Sequence, residues 1–307
     1  MATGFEAELA TLRPAILRHC YRMLGSFAEA EDLTQDTLER ALRGRDSYQG
    51  TAPVRRWLYT IATNACLNAL AQRKRRALPQ LERDPGGDPH TAPPFEPDEW
   101  VTPAPDGALF PDPAEALQTR ETVALAFVAL VQRMPPRQRA ALLLKDVVGW
   151  SAEEIAAALE LTVSSVNSAI HRGREALARA DVRADEPSPV ALAAFVRAWE
   201  TRDLDALVAL LRKDVILAMP PHAVWFQGVD AVARFFQTPR FAAFWGSVGR
   251  VTVVRANGLP MLAFFRHTDA GLTCHAVMPT RFVDGVAAEM TTFIGPSYFA
   301  GFELSAP

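Results

Sequence analysis

The spacing of apolar positions changes character twice along the chain. Up to residue 78, apolar residues recur at intervals of three and four, interrupted at Gly25-Ser26, which reads as a C-cap glycine followed by an N-cap serine. A first helix therefore ends at Tyr21-Arg22-Met23-Leu24, and a second runs from about Ala28 to Arg43. A third begins near Pro53 and buries Trp57, Leu58, Ile61, Ala62, Ala65 and Ala69. From Pro79 to about Asp112 proline recurs too often for helix or strand, so a linker is expected there. Helical periodicity returns over 114–181. A break at ADEPSPV (184–190) then leads into an amphipathic helix, VALAAFVRAWETRDLDALVALL, and the strand-like run DVILAMPP. A turn at Trp225-Phe226-Gln227-Gly228 and a helix from Asp230 to Phe236 follow, then strand-like runs near 250–256, 260–267, 272–283 and 286–294. The chain reads as multidomain: all-α units over 1–78 and 114–181, a linker over 79–113, and an α+β unit over 189–307.

The polar positions are patterned as well. On the second helix Glu29, Asp32, Asp36 and Glu39 are three, four and three apart and form one acidic stripe, which suits either a solvated face or a docking face. On the third, Arg56, Thr60, Asn64, Asn68, Gln72 and Arg76 follow at steps of four and end in the run Arg73-Lys74-Arg75-Arg76. Asn, Gln and Arg are the side chains that bond base edges and phosphates, and Tyr48 and Trp57 are rings on which an unpaired base can stack. The bland alternative is an exposed helix whose basic last turn is favoured by its dipole.

Further on, Ser151-Ala152-Glu153-Glu154 is a capping box opening a short helix, Glu160-Leu161-Thr162 is a turn, and Val163 to about Leu177 is the next helix. This is a helix-turn-helix pattern. Val163, Val166, Ile170 and Leu177 fall on its packing side, leaving Ser164, Ser165, Asn167, Ser168, His171, Arg172 and Arg174 outward, a set suited to a DNA major groove. Such geometry also occurs as plain helix packing.

Composition narrows the choice. With 49% hydrophobic and 22% charged residues the 307-residue chain is that of a globular protein of two or three units. No apolar run approaches the ~20 residues of a membrane span, and a cytoplasmic location is expected. Cys20, Cys66 and Cys274 form no CxxC or Cys/His cluster, so neither metal nor cofactor is expected. The net charge of −3 is misleading for nucleic-acid binding, because it is an average. Residues 1–78 carry 12 Lys/Arg against 8 Asp/Glu, whereas residues 79–120 carry 2 against 9, so an acidic connector hides a basic N-terminal unit.

Four segments in order, AEAEDLTQDTLERAL (28–42), RRWLYTIATNACLNALAQRKRR (55–76), MPPRQRAALLLKDVVGWSAEEIAAAL (134–159) and VSSVNSAIHRGREAL (163–177), resemble regions 2 and 4 of the sigma-70 superfamily, in its extracytoplasmic-function class. The segment from Trp100 to Asp106, together with the unit after Ser188, resembles the subgroup carrying a C-terminal SnoaL-like domain, a curved sheet wrapped over helices around a pocket. The resemblance implies a sigma factor that binds core RNA polymerase and promoter DNA. Asp32, Gln35, Asp36 and Glu39 would dock on the clamp helices of the β′ subunit. Tyr48, Arg56, Trp57, Asn64, Asn68, Arg73 and Lys74 would capture the opened −10 element. Ser164, Ser165, Asn167, Ser168, His171, Arg172 and Arg174 would read the −35 element as duplex. The acidic linker would pass through polymerase channels otherwise used by nucleic acid.

For the C-terminal unit a regulatory or ligand-sensing role, with a small molecule in its pocket, is expected ahead of catalysis. Its candidate acid-base residues are His222, His275, Asp269 and Glu289, and no catalytic residue is assigned. Trp199, Trp225, Phe226 and Trp245 fall toward the mouth of the cone, where such rings are more often core than a ligand cage. Two rival readings differ in class. One is a small-molecule enzyme of the cyclase or isomerase kind fused to a DNA-binding segment, which requires a convergent acid-base pair. The other is a helix-turn-helix repressor or activator that never joins polymerase.

Overall fold

The computed structural model describes residues 4–48, 50, 52–72, 75–82, 84–87, 100–112, 121–178, 184–269 and 271–304. The chain divides into two compact units, Met1–Ala77 with Asp106–Val182, and Leu78–Pro105 with Arg183–Pro307. The two helical stretches of the sequence thus form one unit, and most of the Pro-rich connector belongs to the other.

The helical unit contains α1 (Gly4–Leu24), α2 (Phe27–Arg43), α3 (Val54–Leu70), α4 (Leu125–Gln132), α5 (Pro136–Asp146), α6 (Ala152–Leu159) and α7 (Val163–Ala178). Gly25 at φ +72° closes α1 by donating to the Tyr21 carbonyl at 2.8 Å, and the Ser26 hydroxyl accepts from the Glu29 N–H at 3.5 Å to open α2.

What joins the two helical stretches is the C-terminus of α1. A helix ends with carbonyls that have no partner within it. Here the Arg22 carbonyl accepts from Gln132 Nε2 at 2.9 Å, the Met23 carbonyl from Arg139 Nη1, and the Leu24 carbonyl from Arg76 Nη1 at 3.0 Å. Two of the three donors are guanidinium groups, which also suit the negative end of the helix dipole. Arg139 donates further to Gln132 Oε1 at 2.6 Å and to the Gln132 and Met134 carbonyls at 2.9 and 3.2 Å. Burial lowers its pKa to about 10, so it remains a cation at neutral pH.

Three expectations change here. Arg76 does not continue the exposed polar stripe of α3. The helix ends at Leu70, and Arg76 is buried, forked to Glu29 at 2.8 Å through both Nη atoms, which also takes Glu29 out of the acidic stripe. Trp57, Ile61 and Ala69 are half-buried, while Tyr59, Thr63 and Cys66 are buried beside Leu58, Ala62 and Ala65, because α3 is covered by α5 as well as by α1 and α2. Val163 is exposed in the first turn of α7. Its packing side is made instead by Val166, Ala169, Ile170 and Gly173, where a Cβ at Gly173 would come within 3.1 Å of Leu142.

The second unit contains α8 (Pro189–Thr201), α9 (Leu204–Ala209), β1 (Leu211–Ala218), β2 (Trp225–Gln227), α10 (Val229–Phe236), α11 (Pro239–Ser247), β3 (Val248–Ala256), β4 (Leu259–Thr268), β5 (Gly271–Val283), β6 (Val286–Thr291) and β7 (Phe293–Ile294). One mixed sheet runs β2-β1-β6-β5-β4-β3, with β1 and β6 parallel, the remaining pairs antiparallel, and β7 beside β5. Its core gathers Phe195, Trp199, Phe236, Phe264 and Phe282 between helices and sheet. Residues 225–227, expected as a turn, are an edge strand, because Ala218 to Ile216 supply a partner that local composition does not reveal. Helix α11 was not anticipated.

The connector is not an unstructured tether where it is described. Pro79–Glu82 and Asp106–Leu109 are single helical turns. Gly86 donates to the Trp225 carbonyl at 2.7 Å, Gln80 Nε2 to Glu289 Oε1 at 2.9 Å, and buried Trp100 Nε1 to the Pro221 carbonyl at 3.2 Å. Asn257 grips Ala104 twice: its N–H donates to the Ala104 carbonyl and its Oδ1 accepts from the Ala104 N–H, both at 3.0 Å. Proline disfavours regular helix and ladder, but an extended segment can still satisfy its backbone on another unit's edge.

Candidate nucleic-acid interface and cone cavity

On α2 the acidic positions Asp32 and Asp36 and the intervening Gln35 are exposed, and Glu39 is half-buried. Gln35 Nε2 donates to Glu39 Oε1 at 3.2 Å, Arg43 pairs with Glu39 at 2.9 Å, and Arg40 stands 4.0 Å from Asp36. Pairs this exposed hold little energy and leave the face open to a partner.

The α3 face is less open. Tyr48 and Trp57 stack on one another, with centroids 5.0 Å apart at 25°, and the Tyr48 hydroxyl donates to the Ala52 carbonyl. Asn64 and Asn68 are exposed, whereas Arg56 is half-buried, 2.7 Å from Glu154 and over the Trp150 ring at 5.3 Å. Arg73 and Lys74 lie outside the described residues.

The helix-turn-helix forms as its capping chemistry requires. Ser151 Oγ accepts from the Glu154 N–H at 3.2 Å and Glu154 Oε2 from the Ser151 N–H at 2.7 Å, while Glu160 turns the chain at φ 53°. Thr162, placed in the turn by the sequence, also caps α7, its Oγ1 accepting from the Ser165 N–H at 3.1 Å. Ser164, Ser165, Asn167, Ser168, His171, Arg172 and Arg174 are all exposed along one side of α7. Arg174 is tied to Asp146 at 2.5 Å and His171 stands 3.7 Å from Glu175.

In the second unit a cavity of about 250 Å³ opens between sheet and helices. His222 and His275 line it; the carboxylates expected beside them do not. Asp269 is exposed at the β4–β5 turn, and Glu289 pairs with Arg281 at 3.2 Å and accepts from Gln80. Trp199, Trp225 and Trp245 are buried, the core reading of these rings, and of the three Trp199 also lines the cavity. Among the described residues no group of His, Cys, Asp and Glu could hold a metal ion, and no helix is long and apolar enough to cross a membrane.

An acidic helix, a polar helix face and a helix-turn-helix in this order suit a DNA-binding protein of transcription. Residues 9–76 match the Sigma-70 region 2 family, residues 124–177 the Sigma-70 region 4 family, and residues 192–290 the SnoaL-like domain. The chain is 39% identical over 274 residues to the ECF RNA polymerase sigma factor SigG of Mycobacterium tuberculosis, covering 85% of this chain and 73% of that one. It is 26% identical to SigJ of the same organism over 97% of this chain and 94% of that one. The crystal structure of SigJ superposes with a TM-score of 0.68 at 21% identity, over 97% and 99% of the two chains. The chain belongs to the ECF sigma factors of the sigma-70 family. It directs promoter-specific transcription initiation with core RNA polymerase and carries a C-terminal SnoaL-like domain.

Proposed function

We propose that the SnoaL-like domain regulates this sigma factor in cis by holding the connector between its two DNA readers, and that a small molecule in the cone cavity is the input. Asp32, Gln35, Asp36 and Glu39 are the contact to the β′ clamp helices, the Tyr48-to-Asn68 face takes the −10 element, and the α7 face takes the −35 element, all in the cytoplasm where polymerase works. By their positions the two elements lie on the order of 25 base pairs apart, or about 85 Å of duplex at 3.4 Å per step. A compact body the size of the helical unit is only about 40 Å across. The contacts of Arg139 and Gln132 at the end of α1 must therefore part before both elements are read, and the connector must span the gap. A domain that grips the connector controls that step.

The observation that carries this reading is the paired hydrogen bond between Asn257 and Ala104. The catalytic alternative is disfavoured because neither Asp269 nor Glu289 lines the cavity with the histidines. Run-off transcription with purified core tests it. Asn257→Gly keeps the φ of 56° easily adopted and retains the N–H donor while removing Oδ1. Transcription should change about two- to fivefold, and deletion of residues 190–307 should change it further, with the fragment 1–185 still binding core. Output equal to the unaltered chain for both would mean that the domain is a passenger.

A further inference from the structure

The cone cavity has walls of one kind and polar groups of another, and the two together specify a ligand class. Phe235, Phe241, Phe244, Phe264, Met219 and Met278 make its apolar surface. Its charged and ring-nitrogen groups are Arg240, Arg266, His222 and His275, and no carboxylate lines it among the described residues. Two cavity-lining residues also carry a buried N–H without an acceptor: Nε1 of Trp199, a side chain only 3% exposed, and Nε of Arg266. A buried donor left unpaired weighs against the fold, because it forfeits the bond it made to water. A cavity lined by two arginines and two histidines, with no carboxylate among its described lining, suits an anion.

The backbone adds an independent sign. Between β4 and β5, Phe264 pairs with Ala276 and Phe265 with Cys274, so His275 is the extra residue of a β-bulge. Bulges re-aim a side chain at the cost of ladder regularity, and they gather beside binding sites. His275 faces Phe244 at 5.5 Å, and the Arg266 guanidinium lies 5.9 Å from the same ring. Burial, helped by the Arg266 charge, keeps His275 below its ordinary pKa.

We infer that the cavity binds a small organic anion with a flat apolar body, its carboxylate or other acidic head received by Arg266 and His275 and its body lying against Trp199 and the phenylalanines. This deepens the proposal that the cavity takes a small-molecule input and rests on it. At 250 Å³ the space admits a body of one or two fused rings, at the small end of ligand sites.

The test is calorimetric titration of the full chain with 2-naphthoate, its neutral isostere 2-naphthamide, and inorganic phosphate. The acid should bind at least about tenfold more tightly than the amide, and phosphate alone should not saturate below about 1 mM, since it lacks the body. Arg266→Gln should erase most of the acid-over-amide preference while the amide still binds, and Trp199→Phe should weaken the acid several-fold with the ring retained. Equal binding of acid and amide would overturn the anion class and leave the ligand reading standing. Binding of neither below about 1 mM would overturn both. Should Arg266→Gln fail to fold, as its melting would reveal, the acid–amide comparison on the unaltered chain still decides.

Discussion

Arg56 of α3 lies 2.7 Å from Glu154 of α6, and the same guanidinium covers the Trp150 ring at 5.3 Å, so a residue of the face proposed to read the −10 element is engaged by the first helix of the helix-turn-helix. Both side chains are about one-third exposed, 34% and 35%, which puts the ion pair at roughly 0.5–1 kcal/mol after screening. That is enough to bias an opening equilibrium and too little to lock it.

Replacing Glu154 with Gln tests this pair without unfolding the helix-turn-helix, because an amide oxygen still accepts from the Ser151 N–H. The variant should raise transcription at limiting sigma factor by about two- to fivefold. An unchanged or lower rate, with melting preserved, would show that the pair has no part in opening.

Charge reversal at Asp32 and Asp36 addresses the proposed polymerase contact. Both are exposed, and the Asp36–Arg40 pair is a weak surface one, so Asp32→Arg with Asp36→Arg should leave the melting temperature within a few degrees while lowering affinity for core about tenfold or more. Co-purification with core at full strength would reduce the stripe to a solvated face.

Asn167 and Arg172 are both exposed on α7 and should fail differently. Asn167→Ala should relax sequence preference at one −35 position by about 1–3 kcal/mol, whereas Arg172→Ala should weaken binding to all duplexes alike and lower the salt slope by about 1. Equal sequence-independent losses in a salt titration of −35 duplex binding would put Asn167 off the bases.

His19 gives the helical unit a pH dependence of known sign. It is buried, its Nε2 is 2.9 Å from Thr63 Oγ1, and burial, then the neighbouring Arg22 charge, lowers its pKa from 6.5 to about 3. Between those values the unfolded chain binds a proton that the folded chain refuses. Stability from this group is full above about 6.5 and falls as the pH drops toward 3, by up to ~1.4 kcal/mol per pH unit. Urea unfolding from pH 7.5 to pH 5 should show this slope in the unaltered chain and a flatter one in His19→Gln. Parallel profiles would mean that His19 titrates normally.

Much of this molecule was legible in the sequence. The Gly25-Ser26 junction, the Ser151–Glu154 box, the outward side of α7 and the strands from Val248 onward were all readable, because caps, helical faces and strand alternation depend on residues within about four positions of one another. The Asn257-Gly258 pair, at φ 56° and 75°, is a hairpin signal of the same local kind. Its second role, gripping Ala104 from 153 positions away, has no local trace. The same holds for the end of α1, whose last carbonyls accept from Arg76, Gln132 and Arg139 across 52, 110 and 116 positions. An arginine destined for a buried helix end and one destined for solvent look alike in a basic run, which is why Arg76 was read as exposed. Where the connector is described it holds single helical turns and isolated bridges, as its proline content allows. Its backbone groups still needed partners, and which unit supplied them was decided by the free edges and turns of the folded cone. The absence of Asp269 and Glu289 from the cavity was likewise a matter of where β4 turns and which way β6 faces, since strand pairing alone determines which side chains share an interior.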